Sequence, residues 1–426
     1  LVAAPAWGGD LYGGASDLPT ELRSLLQATD PARRREGVER LEGLEPRLAT
    51  PYLIQRLSDG DAGVRARAAQ GLALASALDA APLLLDCLSD ADPPVRVACA
   101  DAVGQFGALP RELQARAAAT LARALGDTQY EVRTEVLRAL GRMLRAQALL
   151  KEDVGPLLGP VLLRVEDENV GVRRAAAAVL GRLGSLALPK ELMARVSVAL
   201  LGQLSDAARD VRAEALASLG ELRTAAAAPA ALRMLRDPTD EVRRQAVLCL
   251  GRLQYAGAVP ALVELLESNA EPLRASAATA LGQIARPEPG SRPEQLAAAQ
   301  AAVTELLRGL EREELRALAR DALLFAGGAA IPGLCARLQQ AGGQVEIGAA
   351  IELLRDLASS ASSEQRPLIV KALTTELWRR RVPREQVLEA LTVLHDRSTA
   401  PLFAGLLSDR DTAALRDFFG VGVVEP

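Results

Sequence analysis

Aromatic side chains make up only 3% of this 426-residue chain, with five Phe, four Tyr and two Trp. Apolar residues nevertheless reach 49%, so any core must be built from Ala, Leu and Val, which suits helices that approach closely. Histidine occurs once, at His395, which excludes a His-pair metal site or a Ser-His triad spread along the chain. Lysine occurs three times, as Lys151, Lys190 and Lys371, and the other basic residues are arginines. Basic and acidic residues nearly balance, 50 against 54, for a net charge of −4. A phosphate-neutralising protein usually carries a basic excess, and none is present overall. No run of about 18 uncharged apolar residues offers a membrane-spanning helix. Neither a nucleophile-elbow GxSxG nor a phosphate-binding loop appears. The pair Gly420-Val421-Gly422 is a lone glycine doublet with no helix pattern after it.

The four cysteines, Cys87, Cys99, Cys249 and Cys335, form no CxxC pair and no finger pattern. Cys99 and Cys249 occupy positions where sister segments carry Ala or Val, so they are expected as small core residues. Cys87 and Cys99 fall on the two helices of one expected hairpin. A disulfide is conceivable there; reduced thiols are the expectation. The segment Leu1 to Trp7 contains Ala4-Pro5-Ala6, the small-x-small spacing of a cleavage site, without a basic or long apolar stretch before it. The cytoplasm is the expected compartment, with export left open.

What the chain has in abundance is a repeated pair: Val64-Arg65, Val95-Arg96, Val132-Arg133, Val172-Arg173, Val211-Arg212 and Val242-Arg243, continued by Leu273-Arg274 and Leu315-Arg316. The spacings are 31, 37, 40, 39, 31, 31 and 42 residues, a period that signals stacked helical hairpins. Within each unit Val, Ala four later and Leu four after that lie on one helical face, as in Val64/Ala68/Leu72 and Val211/Ala215/Leu219. A Gly usually follows that Leu, to end the helix or to admit a close backbone. Prolines at 19, 51, 82, 110, 156, 189, 229, 260, 293, 332, 367 and 401 mark expected starts of first helices. Acidic turns such as Asp59-Gly60-Asp61 precede the second helices, where Asp caps free N–H groups. The interval from Pro to Val or Leu is 13 residues from Pro51, Pro82, Pro229 and Pro260. It is 22, to Val or Leu, from Pro110, Pro189 and Pro293. The second set is expected to carry longer first helices, which would stand beyond their neighbours as a ridge.

Turn Asp, Val-Arg, a small residue four on and Leu-Gly eight on: this pattern resembles the HEAT repeat, and its 31-residue units resemble the short subgroup named after phycobilisome lyases. The likeness is strongest over residues 50–285. It implies an all-α, right-handed α-solenoid of about twelve antiparallel helix pairs. It divides the chain into a tail at 1–16, regular repeats at 17–286 and divergent repeats with a C-terminal cap at 287–426. The Pro/Gly stretch from Arg286 to Pro293 is either a long inter-repeat loop or a boundary, and the apolar tail Phe418 to Val424 is expected to pack on the last hairpin. By the resemblance, Arg65, Arg96, Arg133, Arg173, Arg212 and Arg243 form a hydrogen-bonded ladder along the stack, with Asp61, Asp92 and Asp240 as the expected acceptors. Val172 and Val211 lack an Asp three residues before them, so there the ladder fails or Asp167 and Asp206 replace it.

Enzymes with HEAT-like folds supply a contrast. The metal-dependent hydroxylases use repeated His-Glu pairs, absent here, and the alkylpurine DNA glycosylases use a basic, aromatic-lined groove. No catalytic, cofactor or metal residue is therefore expected. The exposed face of the second helices should present a mixed-charge stripe that includes Arg67, Gln70, Asp101, Gln105, Glu135, Arg138, Arg142, Arg182, Glu214, Glu221, Gln245 and Arg252. Within it, Glu135, Arg138, Arg142, Arg182, Glu214 and Arg252 are the candidate partner-binding residues. Interleaved acids favour a protein or peptide over a polyanion. The expected function is a non-enzymatic protein-binding scaffold or assembly subunit. The alternatives are a glycosylase-like nucleic-acid module and, behind it, a phycobilin-lyase-like protein.

Overall fold

The computed structural model describes residues 18–106, 109–147, 155–186, 188–340, 344–379 and 381–394. Trp7, His395, the pair at Gly420 and Gly422, the apolar tail at 418–424 and the expected helix start at Pro401 lie outside them. Among the described residues there is no strand. The chain divides into two compact units, Leu1–Leu222 and Arg223–Pro426.

In the first unit the helix pairs are α1 (Thr20–Leu26) with α2 (Pro31–Leu41), α3 (Pro46–Arg56) with α4 (Ala62–Leu74), and α5 (Ala81–Cys87) with α6 (Pro93–Gln105). They continue as α7 (Arg111–Ala124) with α8 (Tyr130–Arg145), α9 (Gly155–Leu163) with α10 (Val170–Gly184), and α11 (Lys190–Gln203) with α12 (Arg209–Glu221). The second unit pairs α13 (Ala228–Met234) with α14 (Asp240–Arg252), α15 (Val259–Leu266) with α16 (Glu271–Ile284), and α17 (Pro293–Gly309) with α18 (Glu313–Ala326). Its last pairs are α19 (Ile331–Gln340) with α20 (Gln344–Leu357) and α21 (Gln365–Arg379) with α22 (Arg384–Val393). Within each unit every second helix packs on its own first helix and on the next second helix, in chain order. This is the all-α stack of hairpins that the repeat implies.

The buried stripe is the one the periodicity marks. Val64, Ala68, Leu72, Val172, Ala176, Leu180, Val211, Ala215 and Leu219 all have no exposed surface. Each fully buried Val or Leu contributes roughly 1.5–3 kcal/mol relative to exposure. The glycines after the Leu lie inside the helices and do not end them. A Cβ on Gly104 would stand 2.7 Å from the Ala139 Cα, on Gly251 2.7 Å from the Ala280 Cα, and on Gly282 2.8 Å from the Ala322 carbonyl oxygen. They are there so that neighbouring second helices can touch backbone to backbone. Helices end a few residues later, at left-handed Ser76 (φ 51°) and Gln254 (φ 49°), where the Ala77 and Tyr255 amides donate to the Leu72 and Leu250 carbonyls.

The prolines stand at or near first-helix starts as expected, except Pro51. It sits inside α3, which begins at Pro46. First helices do differ in length: α7 and α11 have 14 residues and α17 has 17, against seven in α5 and α13 and eight in α15. Seven extra residues add about 10 Å of helix. The stretch from Arg286 to Arg292 is an inter-repeat loop, since α16 and α17 on either side pack together inside the second unit.

The expectation of reduced thiols at Cys87 and Cys99 is corrected: they form a disulfide, with Cα atoms 6.0 Å apart, that ties α5 to α6. Cys249 and Cys335 are free and buried, and burial pushes their thiols up to about 12 and about 11, so both stay protonated. One helical stretch, Glu313–Gln340, is long and apolar enough to cross a membrane by length and composition. Its apolar residues Leu315, Leu323, Ile331, Leu334 and Leu338 are buried within the stack.

Candidate interaction surfaces

The turns before the second helices concentrate the charge. Arg34 donates from Nε and Nη2 to Asp59 at 2.9 and 2.8 Å. Arg65 does the same to Asp90 at 2.8 and 2.9 Å, Arg96 to Asp127 at 2.7 and 2.9 Å, and Arg173 to Asp206 at 2.7 and 3.0 Å. Arg133 reaches Asp167 at 2.7 Å. Each arginine thus grips the turn of the following repeat. Its remaining nitrogen, Nη1, caps the turn of its own repeat: Arg65 on the Asp59 carbonyl at 2.8 Å, Arg96 on Asp90 at 2.8 Å, Arg133 on Asp127 at 2.9 Å. The aspartates are bound twice as well, each accepting from the amide two residues on, as Asp90 does from Asp92 at 2.9 Å.

These rungs correct the expected acceptors. Asp61 is the N-cap of α4, accepting from the Val64 amide at 3.0 Å. Asp240 pairs with Arg243 of its own helix. Asp92 does accept from Arg65, at 2.8 Å, but as a second carboxylate beside Asp90. The principal acceptors stand six residues before each ladder arginine, at Asp59, Asp90, Asp127, Asp167 and Asp206. Asp167 and Asp206 therefore do replace the missing residues. Arg212 caps the Asp206 carbonyl at 2.8 Å and Arg243 that of Asp237 at 2.9 Å. Burial opposes ionisation of Asp59, Asp90, Asp127 and Asp167. The hydrogen bonds from arginine and backbone outweigh it and hold them below the usual carboxylate range. At Asp206 the Arg173 hydrogen bond is the largest influence, with the same result.

The second-helix stripe is largely self-neutralised. Arg142 donates to Asp101 of α6 at 2.9 Å and to Glu135 at 2.7 Å, while Arg138 lies 3.4 Å from Glu135 and stays 63% exposed. Arg174 lies 3.4 Å from Glu214, and Arg67 donates to Glu42 at 2.8 Å. Arg182 bends back to the Ala178 carbonyl at 3.3 Å and packs above Gly141. Arg142 is therefore a bridge between repeats more than a free cation. Gln70, Gln105 and Glu221 are exposed, and Gln245 and Arg252 are half-buried. No group of three or more metal-ligating side chains occurs among the described residues.

A different feature lies on the first-helix side. A groove of about 1050 Å³ runs between the end of α9 with its following turn and α11. Leu162, Val165, Val198 and Ala199 line it, together with Glu166, Glu168, Arg195, Gly202 and Gln203. Sequence patterning gives no sign of it, because it depends on how far two first helices separate.

The family model for HEAT repeats matches residues 50–141 and 196–282. The chain carries HEAT repeats. Both matched stretches span HEAT helix pairs in which the buried Val/Ala/Leu stripe and the inward glycine recur. A search of curated proteins finds no match. Among solved structures, an engineered protein shares the fold with a TM-score of 0.51 and 20% identity, over 88% of this chain and 98% of that one. A second engineered protein aligns at a TM-score of 0.40 and 21% identity, over 48% and 96%. YibA of Escherichia coli aligns at 0.47 and 18%, over 70% and 98%.

Proposed function

We propose that this HEAT-repeat protein is a non-enzymatic scaffold that binds one or more protein partners along its stack. The observation that carries this reading is where the charged side chains go. Among the described residues, arginines and carboxylates pair from one repeat to the next, as Arg133 with Asp167 and Arg142 with Asp101, and do not gather into one cluster. Such pairing stiffens an extended surface, and a stiff surface loses little freedom when a partner docks. The mixed signs along the second helices suit a protein surface better than a polyanion. The Cys87–Cys99 bond favours an oxidising compartment over the cytoplasm.

Because Arg142 supports the stack, the second-helix face is best tested through Arg138 and Arg182. Affinity capture from the source organism, with the native chain and with Arg138→Glu/Arg182→Glu at equal thermal stability, decides the matter. The proposal expects the same partners at several-fold lower yield with the variant. Equal yield would remove this face from the function.

A further inference from the structure

The groove between α9 and α11 has features that the packing of the stack does not account for. Val198, in its lining, is 69% exposed, the highest value among the exposed large apolar residues. Gly202, in the last turn of α11, lines the groove, and a Cβ there would meet nothing within 4 Å. A helical glycine weakens its helix, and unlike Gly104 or Gly251 this one gains no close approach within the chain. Gln203 beside it is buried. Its Nε2 donates to the Arg173 carbonyl at 3.2 Å and to the Val165 carbonyl at 3.5 Å, while its Oε1 has no partner. The charge of the lining is also uneven. Asp167 and Asp206 are taken up by Arg133, Arg164 and Arg173. Glu166 makes no ion pair among the described residues, and Glu168 is 84% exposed with Arg133 at 3.4 Å as its partner. Against these two carboxylates the lining offers Arg195 as its unpaired cation.

We infer that this groove docks a peptide segment of a partner protein, one that sets an aliphatic side chain between Val165 and Val198 and an Arg or Lys against Glu166 and Glu168. The absence of a side chain at Gly202 leaves room for the peptide backbone to pass close to α11. The inference rests on the protein-binding reading above and moves the principal contact from the second helices to the first.

Selection of a phage-displayed random dodecapeptide library on the full chain tests it, followed by fluorescence anisotropy of the enriched synthetic peptides. Enriched peptides should pair Leu, Ile or Val with Arg or Lys within a few residues. Their affinity should fall at least tenfold for Gly202→Trp, which fills the groove, and for Glu166→Lys/Glu168→Lys, which reverses its rim. It should be unchanged for Lys371→Glu, at an exposed position of the second unit. Should Gly202→Trp fail to fold, the rim variant, confined to exposed positions, decides alone. Acidic peptides, no enrichment, or affinity indifferent to the rim variant would overturn the groove. Loss confined to the Arg138/Arg182 variant would overturn the groove and leave the scaffold reading standing. Failure of both peptide selection and lysate capture would remove both.

Discussion

In the first unit Arg34, Arg65, Arg96, Arg133 and Arg173 each clasp a carboxylate in the next turn. In the second unit Arg243 and Arg274 find none in the next turn among the described residues. Arg274 donates to the Ser268 carbonyl at 2.8 Å and its Nε is buried without a partner. Arg316 reaches the Leu310 carbonyl at 3.1 Å. The reason lies in single positions: where the earlier turns carry Asp59, Asp90, Asp127, Asp167 and Asp206, the turns that follow Arg243 and Arg274 carry Ser268 and Leu310. The second unit builds other links. Arg312 pairs with Glu267, so the cation now sits in the later turn. Arg320 pairs with Asp356 at 3.0 Å, and Arg355 with Glu389 at 3.2 Å, from one second helix to the next. Both units keep the backbone-close packing at Gly104, Gly251 and Gly282. The stack therefore depends on small residues between second helices, while ion pairing is an addition that each unit makes in its own way.

The largest expected effect lies at the most buried rung. The side chains of Arg133 and Asp167 are 6% and 2% exposed. Asp167→Ala would leave the buried Arg133 guanidinium with only the exposed Glu168 as its counter-charge, at 3.4 Å, and should cost about 3 kcal/mol in urea unfolding. Arg274→Ala, in the second unit, should cost less than about 1 kcal/mol. Similar losses would erase the contrast.

Reduction of Cys87–Cys99, whose ends have a sequence separation of 12, should lower the stability of the first unit by about 3 kcal/mol. Hydrogen exchange with and without reductant reads this unit by unit, and exchange in the second unit should not change.

Acid should also separate the units. Five aspartates of the first unit ionise below their ordinary range. A carboxylate whose folded value is depressed adds stability that is complete above its unfolded value, about 4. That stability drains away as pH falls through the lower folded value. Glu241 and Glu267 in the second unit are lowered too, by Arg244 and Arg312, but they are more open to solvent. Exchange protection measured from pH 5 to pH 2 should fall earlier and further in the first unit. A parallel decline would count against the rungs.

The smallest effect is a gain. Ser268 already accepts from the Ala270 amide at 3.2 Å, as each rung aspartate accepts from the amide two residues on. Ser268→Asp should install a carboxylate for Arg243 and raise the melting temperature, by about 0.5–1 kcal/mol of stability. No change, or a fall, would mean that residue type alone does not decide where the rungs stop.

Most of the stack was legible because its period sits on residues that cannot face anywhere else: Val64, Ala68 and Leu72 must be inside, and so must their sisters. The rungs were half legible. Their donors follow from Val-Arg, but an Asp three residues before Val is placed to cap its own helix. The arginine reaches the residue five before the next Val because its Nη1 is anchored on its own turn, which aims Nε and Nη2 at the neighbour. The Asp six before every ladder arginine was the available signal. One feature was left open and one stayed hidden, because both depend on distances between elements. The disulfide needs Cys87, at the end of α5, opposite Cys99 in the middle of α6. The groove needs α9 and α11 to stand apart, and no pattern within either helix records that.

The most direct test is a pair of double-mutant cycles on stability, one for Arg173 with Asp206 and one for Arg320 with Asp356. The account predicts a coupling of about 1.5–3 kcal/mol for the first, a bidentate and mostly buried rung. For the more exposed second pair it predicts less than about 1 kcal/mol. Equal couplings, or none at Arg173–Asp206, would contradict it.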